Sequence, residues 1–81
     1  MEVVASGQNI TSSNGKIAFN AMASRVAVAT VTAASVVLIG NDTFPIAIQS
    51  VDNIYENFDI DASYITVVSG TINFVAMATG G

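Results

Sequence analysis

The stretch Ser63–Ala78, SYITVVSGTINFVAMA, constrains the fold more than any other part of the chain. Ser69-Gly70 divides it, and a glycine at that point suits a tight turn that needs positive φ. On either side apolar residues recur at every second position, the period of a β-strand. Ile65, Val67, Ile72 and Phe74 fall on one face, while Tyr64, Thr66, Val68, Thr71, Asn73 and Val75 fall on the other. Read as a hairpin about Ser69-Gly70, the two strands pair Val67 with Ile72 and Ile65 with Phe74, and the apolar face sets the register. A lone hairpin is not stable in water, so a second apolar layer has to come from the rest of the chain or from another subunit.

The rest of the chain is well supplied with strand formers. Val, Ile and Thr account for 27 of the 81 residues, side chains that suit a pleated, half-buried surface. Val3-Val4-Ala5 starts a short strand that Ser6-Gly7 is expected to break. Gln8 to Ser13 then leads into Asn14-Gly15, a strong hairpin signal, and pairing across it puts Ile10, Ile17 and Phe19 on one face. The two hairpins are expected to supply opposing core layers. Asn20 to Ser24 reads as a loop or a single helical turn. Two buried strands, Arg25 to Thr32 and Ser35 to Ile39, are expected to turn at Ala33-Ala34 and to end at Gly40-Asn41-Asp42. Exposed, Val36-Val37-Leu38-Ile39 is an aggregation hazard, so something has to cover it. Pro45 lacks an amide proton and belongs at the start of a strand or on a sheet edge, ahead of Ile46, Ala47 and Ile48. Ser50 to Asn57 has room for one short helical turn, capped by Ser50 or Asp52. Asn57, Asp59 and Asp61 alternate with Phe58 and Ile60, the pattern of an edge strand with its charges turned outward. The expected fold is therefore all-β: a single domain over residues 1–81, a small antiparallel β-sandwich or barrel-like unit built from hairpins, with at most one short helical turn.

Size and composition then bound the function. A core this small is marginal without a staple, and with neither Cys nor His the chain has no disulfide and no soft-ligand metal site available. Oligomerisation is the staple left, and 12 alanines make burial per position small, so a core shared between subunits is expected. Only 10% of residues are charged, against about 25% in ordinary domains. The surface is therefore largely neutral, as expected where partners cover it. Two cations in a chain of net charge −4 cannot neutralise many phosphates, which argues against nucleic acid. The uncharged run from Val26 to Asn41 falls short of the roughly 20 residues a membrane helix needs, and Thr30, Thr32 and Ser35 interrupt it. Met1-Glu2 leads into Val3-Val4-Ala5 without a basic region or a long apolar run, so no secretory signal is expected.

Motifs with chemical content are few. Asn57-x-Asp59-x-Asp61 has the opening spacing of a calcium loop, but Ala62 stands where the loop needs glycine and Val68 where it needs a bidentate Glu. Asn9-Ile10-Thr11 and Asn41-Asp42-Thr43 fit the glycosylation pattern and are read as chance. Glu2, Asp42, Asp52, Glu56, Asp59 and Asp61 show no paired spacing, and without His or Cys no activated nucleophile is expected, so the chain reads as a non-enzyme needing no cofactor. Met22, Tyr64, Val75 and Met77 are the candidate partner-interface residues, since thioethers and aromatics adapt to a binding surface.

In its small size, few charges, abundant Ala, Val, Ile, Thr and Ser, and NG and SG turns, the chain resembles small β-rich structural proteins of tailed-phage virions. Capsid decoration or cement proteins and head-fibre or tail-fibre subunits are of this kind. The likeness lies in overall character and assigns no residue a role. It implies a homo-oligomer, often a trimer, that sits on a larger lattice such as a capsid or tail and is assembled in the host cytoplasm. Two other readings stand beside it: a carbohydrate-binding or adhesion module, in which Tyr55, Tyr64 or Asn73 would contact sugar, and a filament subunit joined by strand addition.

Overall fold

The computed structural model describes residues 2–31, 34–49 and 54–78. Among these, eight strands form two four-stranded antiparallel sheets packed as a sandwich, with a single 3₁₀ turn at Ser12–Asn14. The strands are β1 (Glu2–Ile10), β2 (Lys16–Ala23), β3 (Arg25–Thr30), β4 (Ser35–Ile39), β5 (Pro45–Ile48), β6 (Glu56–Phe58), β7 (Ala62–Ser69) and β8 (Ile72–Ala78). The first sheet has the order β1-β8-β3-β6 and the second β2-β7-β4-β5. No helix among the described residues is long and apolar enough to cross a membrane.

The pairings have a simple logic. β1 pairs with β8, β2 with β7, β3 with β6 and β4 with β5, all antiparallel. The chain is thus one long hairpin folded at Gly40–Phe44 and rolled up, so that β8 also meets β3 and β7 also meets β4. This is the strand order of an eight-stranded jelly roll. At the fold point Gly40 has φ +64°, and the Asn41 side chain accepts hydrogen bonds from the Thr43 amide at 2.8 Å and the Thr43 hydroxyl at 2.6 Å. A side chain that reaches two residues on in this way fixes a turn without help from the sheets.

The alternation read in Ser63–Ala78 holds, but the hairpin does not form. Ile65, Val67, Ile72 and Phe74 are all buried and the intervening residues face outward, yet β7 and β8 lie in different sheets. Their apolar faces meet across the core instead of lying side by side. Ser69-Gly70, with Gly70 at φ +82°, is a corner that carries the chain from one sheet to the other. There the Val31 amide donates to the Thr71 carbonyl at 2.9 Å, and the Ser35 hydroxyl donates to the same carbonyl at 3.4 Å. The Asn14-Gly15 hairpin is corrected in the same way. β1 and β2 belong to opposite sheets, and the link is the 3₁₀ turn followed by Gly15 at φ +70°. Each expected hairpin therefore gives one strand to each layer, rather than forming a layer by itself.

Other expectations shift by smaller amounts. β1 runs through Ser6-Gly7, absorbing the irregularity as register shifts between Val3 and Ala5 and between Gly7 and Ile10, with Asn9 at φ +55°. Residues 20–23 extend β2 instead of looping or coiling. They do so as a wide bulge, since five steps from Ala18 to Ala23 oppose two steps from Tyr64 to Ala62. β3 and β4 occupy the expected places, and their turn residues 32 and 33 lie outside the described set. Of the expected helical turn over Ser50 to Asn57, residues 50–53 lie outside the described set, and Glu56 and Asn57 are strand. Pro45 heads β5 as expected. An edge strand does form near Asn57, but β6 covers Glu56–Phe58 and leaves Asp59, Ile60 and Asp61 outside it, with Asn57, Asp59 and Asp61 exposed.

The core lies between the sheets. Val26, Val28, Ile72, Phe74 and Ala76 from the first pack against Val37, Ile39, Ile48, Ile65 and Val67 from the second. Ile10, Ile17 and Phe19 pack on its margin, the Phe19 and Phe74 rings stacking with centroids 5.9 Å apart. Thr30 and Ser35 are the polar residues buried within the described part, and the Thr30 hydroxyl has no hydrogen-bond partner there.

Candidate interaction faces

Burying one face of each sheet leaves two outer faces. On the first sheet, cross-strand pairing lines up Val3, Met77 and Arg25 in one row and Ser6, Val75, Ala27 and Asn57 in the next. Ala27 and Ala29 point outward, since their partners Val75 and Asn73 do, but both are shut from water. Arg25 closes one end of this face, its Nε donating to Asp59 Oδ1 at 2.9 Å. The strands of this sheet carry Glu2, Arg25 and Glu56.

The strands of the second sheet carry one charged residue, Lys16. Its outward rows set Lys16 beside Thr66 and Leu38, Ala18 beside Tyr64, and Val36 beside Ala47, with Pro45 opposite Leu38. Val68 is the extra residue of a bulge opposite Val36 and is 49% exposed. Phe44, at the turn into β5, is 71% exposed. At one end Lys16, Tyr64 and Asp42 form a cluster. The Lys16 ammonium sits 4.2 Å from the Tyr64 ring centroid and 3.8 Å from Asp42 Oδ2, while the Tyr64 hydroxyl donates to Asp42 Oδ1 at 2.9 Å. Partial desolvation, reinforced by the Asp42 carboxylate, raises the Tyr64 phenol above its ordinary pKa. The cluster neutralises its own charge and holds Tyr64 in place.

The four residues singled out from the sequence do not make one groove. Val75 and Met77 lie on β8 in the first sheet, whereas Tyr64 on β7 and Met22 in the β2 bulge belong to the second. Met22 is the most open of them, at 59% exposed. Nor do the residues considered for sugar binding converge. Tyr64 and Asn73 are on opposite outer faces, and Asn73 accepts the Asn9 amide at 2.8 Å. A cleft of about 400 Å³ opens where β1 and β2 run past each other, lined by Val3–Ser6, Ile17, Ala18 and Asn20. Its lining has no titratable group, so it offers shape and no chemistry. Among the described residues no group of three or more His, Cys, Asp or Glu is placed to hold a metal.

The residues that sequence reasoning passed over are Val36, Leu38, Ala47 and Val68. Their signal was present in the hazard assigned to Val36–Ile39: Val37 and Ile39 enter the core, and Val36 and Leu38 are left facing out. Comparison with family models, with curated proteins and with solved structures finds no significant match to this chain.

Proposed function

We propose that the chain is a non-enzymatic structural subunit, a homo-oligomer that stabilises a larger protein lattice, as a capsid decoration protein or fibre subunit of a virion does. The observation that carries this reading is the outer face of the second sheet, broad, largely apolar and free of charge apart from the Lys16–Asp42 pair at one end. A face of that kind gains most by leaving water against protein. The eight-stranded jelly roll recurs in viral capsid domains, which supports the reading at the level of fold analogy. The alternative of a sugar-binding module draws less support, because Tyr64 and Asn73 face opposite ways.

The filament reading also loses ground at the sheet edges. β1 is bent by two register shifts, β2 carries a wide bulge, β5 is four residues headed by Pro45, and β6 is three residues. Each is a known way of blocking strand addition. Sedimentation velocity of the purified chain tests the proposal. A closed oligomer, a trimer foremost, is the expected result; open-ended polymer supports the filament, and a single chain at every concentration contradicts the proposal.

A further inference from the structure

Asn14 and Gly15 lie in the exposed link between β1 and β2, and the pair carries a chemistry of its own. Where glycine follows asparagine, its backbone nitrogen reaches the side-chain amide carbon freely, because no Cβ obstructs the approach. Of the seven asparagines in the chain, Asn14 alone is followed by glycine. We propose that Asn14 is a site of spontaneous deamidation, and that the turn from Thr11 to Gly15 is a latch that restrains the reaction until the turn opens locally, with both sheets intact. The inference stands apart from the oligomeric reading, since it asks only for a folded chain.

The reaction balances with water as the one co-reactant. Base takes the proton from the Gly15 nitrogen, a bond forms from that nitrogen to Asn14 Cγ, the Cγ–Nδ2 bond breaks, and ammonia leaves with the proton returned to it. The product is a succinimide ring. Water then opens the ring at either carbonyl. Cleavage of the new bond gives aspartate in a normal chain, whereas cleavage of the original peptide bond leaves the main chain running through Cγ as isoaspartate.

In the closed turn both reacting groups are engaged elsewhere. The Gly15 amide, whose nitrogen has to attack, donates to the Ser12 carbonyl at 3.2 Å. Asn14 Oδ1, on the carbon to be attacked, accepts the Thr11 amide at 2.8 Å, which turns the side chain back toward the start of the turn and away from Gly15. Attack therefore requires both bonds to break. Opening is local because the turn belongs to neither ladder: the flanking cross-strand pairs are Ile10 with Ile72 and Lys16 with Thr66, and none of Ser12–Asn14 is buried. Aspartate at this position still offers an oxygen to the Thr11 amide and closes the latch again. Isoaspartate adds a methylene to the main chain between Thr11 and Gly15, so the spacing of the turn is lost for good.

The test incubates the purified full chain at mildly alkaline pH, folded in buffer and unfolded in guanidinium chloride, with mass spectrometry of the tryptic peptide that ends at Lys16. That peptide holds Asn9 and Asn14, which fragmentation separates, and electron-transfer fragmentation distinguishes isoaspartate from aspartate. In the unfolded chain Asn14 is expected to convert faster than Asn9 and every other asparagine. In the folded chain it is expected to convert to both products about ten- to a hundredfold more slowly, the factor that two modest hydrogen bonds supply. An Asn14 that converts no faster than the other asparagines overturns the site. Equal rates in the two states overturn the latch. A folded chain slower by more than about a thousandfold reacts only through global unfolding, and that overturns local opening.

Discussion

Gly70 and Gly15 both have positive φ, and they separate two effects that the sequence presents as one. At Gly15 an added Cβ meets open space, so Gly15→Ala costs only backbone strain at φ +70°, ψ −154°, a region almost exclusive to glycine, about 1–3 kcal/mol. At Gly70 the same atom collides with the side chain and backbone of Ser35, across the corner where the chain changes sheets. Gly70→Ala is therefore expected to cost clearly more than Gly15→Ala in urea unfolding, and equal costs contradict the close approach. Thr30 offers the opposite test. Its hydroxyl is fully buried beside Ile72 without a partner, a penalty of about 1–3 kcal/mol that an isosteric methyl removes. Thr30→Val is expected to raise stability by about 1 kcal/mol and the melting temperature by about 4–8 °C, and a drop on thermal unfolding contradicts it. Neither effect was legible in the sequence, because each depends on a residue distant along the chain: Ser35 at the corner for Gly70, and Ile72 on the neighbouring strand for Thr30.

At the level of strands the sequence was legible in one respect and silent in another. Alternation tells which residues of a strand are buried, and it did so correctly for Ile65, Val67, Ile72 and Phe74. It does not tell which strand lies alongside. A two-residue hairpin loop and a corner between sheets both need a residue at positive φ, so Ser69-Gly70 and Asn14-Gly15 read the same either way. What selects the corner is long-range: rolling the chain about Gly40–Phe44 gives both β7 and β8 two strand neighbours, where a hairpin would leave their outer edges to be filled. The candidate interface was only half visible for a related reason. Tyr64 and Met22 were found by residue type, but Val36, Leu38 and Ala47 join Thr66 on one face only once β4 and β5 are set beside β7. A chain without cysteine allows a clean test of this topology. Paired cysteines at Ser6 and Val75, which are cross-strand neighbours, are expected to oxidise to a disulfide in the folded chain. Paired cysteines at Thr66 and Asn73, neighbours in the expected hairpin, are on opposite sheets and are expected to stay reduced. The reverse result, read by mass spectrometry, restores the hairpin.

Taken as a whole, the molecule is a sandwich whose two layers are each stitched from both ends of the chain, with β1 against β8 and β2 against β7. Few of its contacts are local, and a core of Val, Ala and Ile with one buried Phe is thin for a molecule that holds no disulfide. Its outer faces carry few charges, and the described ion pairs, Arg25 with Asp59 and Lys16 with Asp42, sit one with each sheet. We propose that association adds to the stability of each folded chain, neighbouring copies covering outer surface that the single chain leaves exposed. Thermal unfolding followed by circular dichroism over roughly a hundredfold range of chain concentration reads this coupling. The midpoint is expected to rise with concentration, as it must when folded chains are held by one another. A sharp, cooperative transition at the same temperature throughout, from a species of 8.3 kDa, contradicts it.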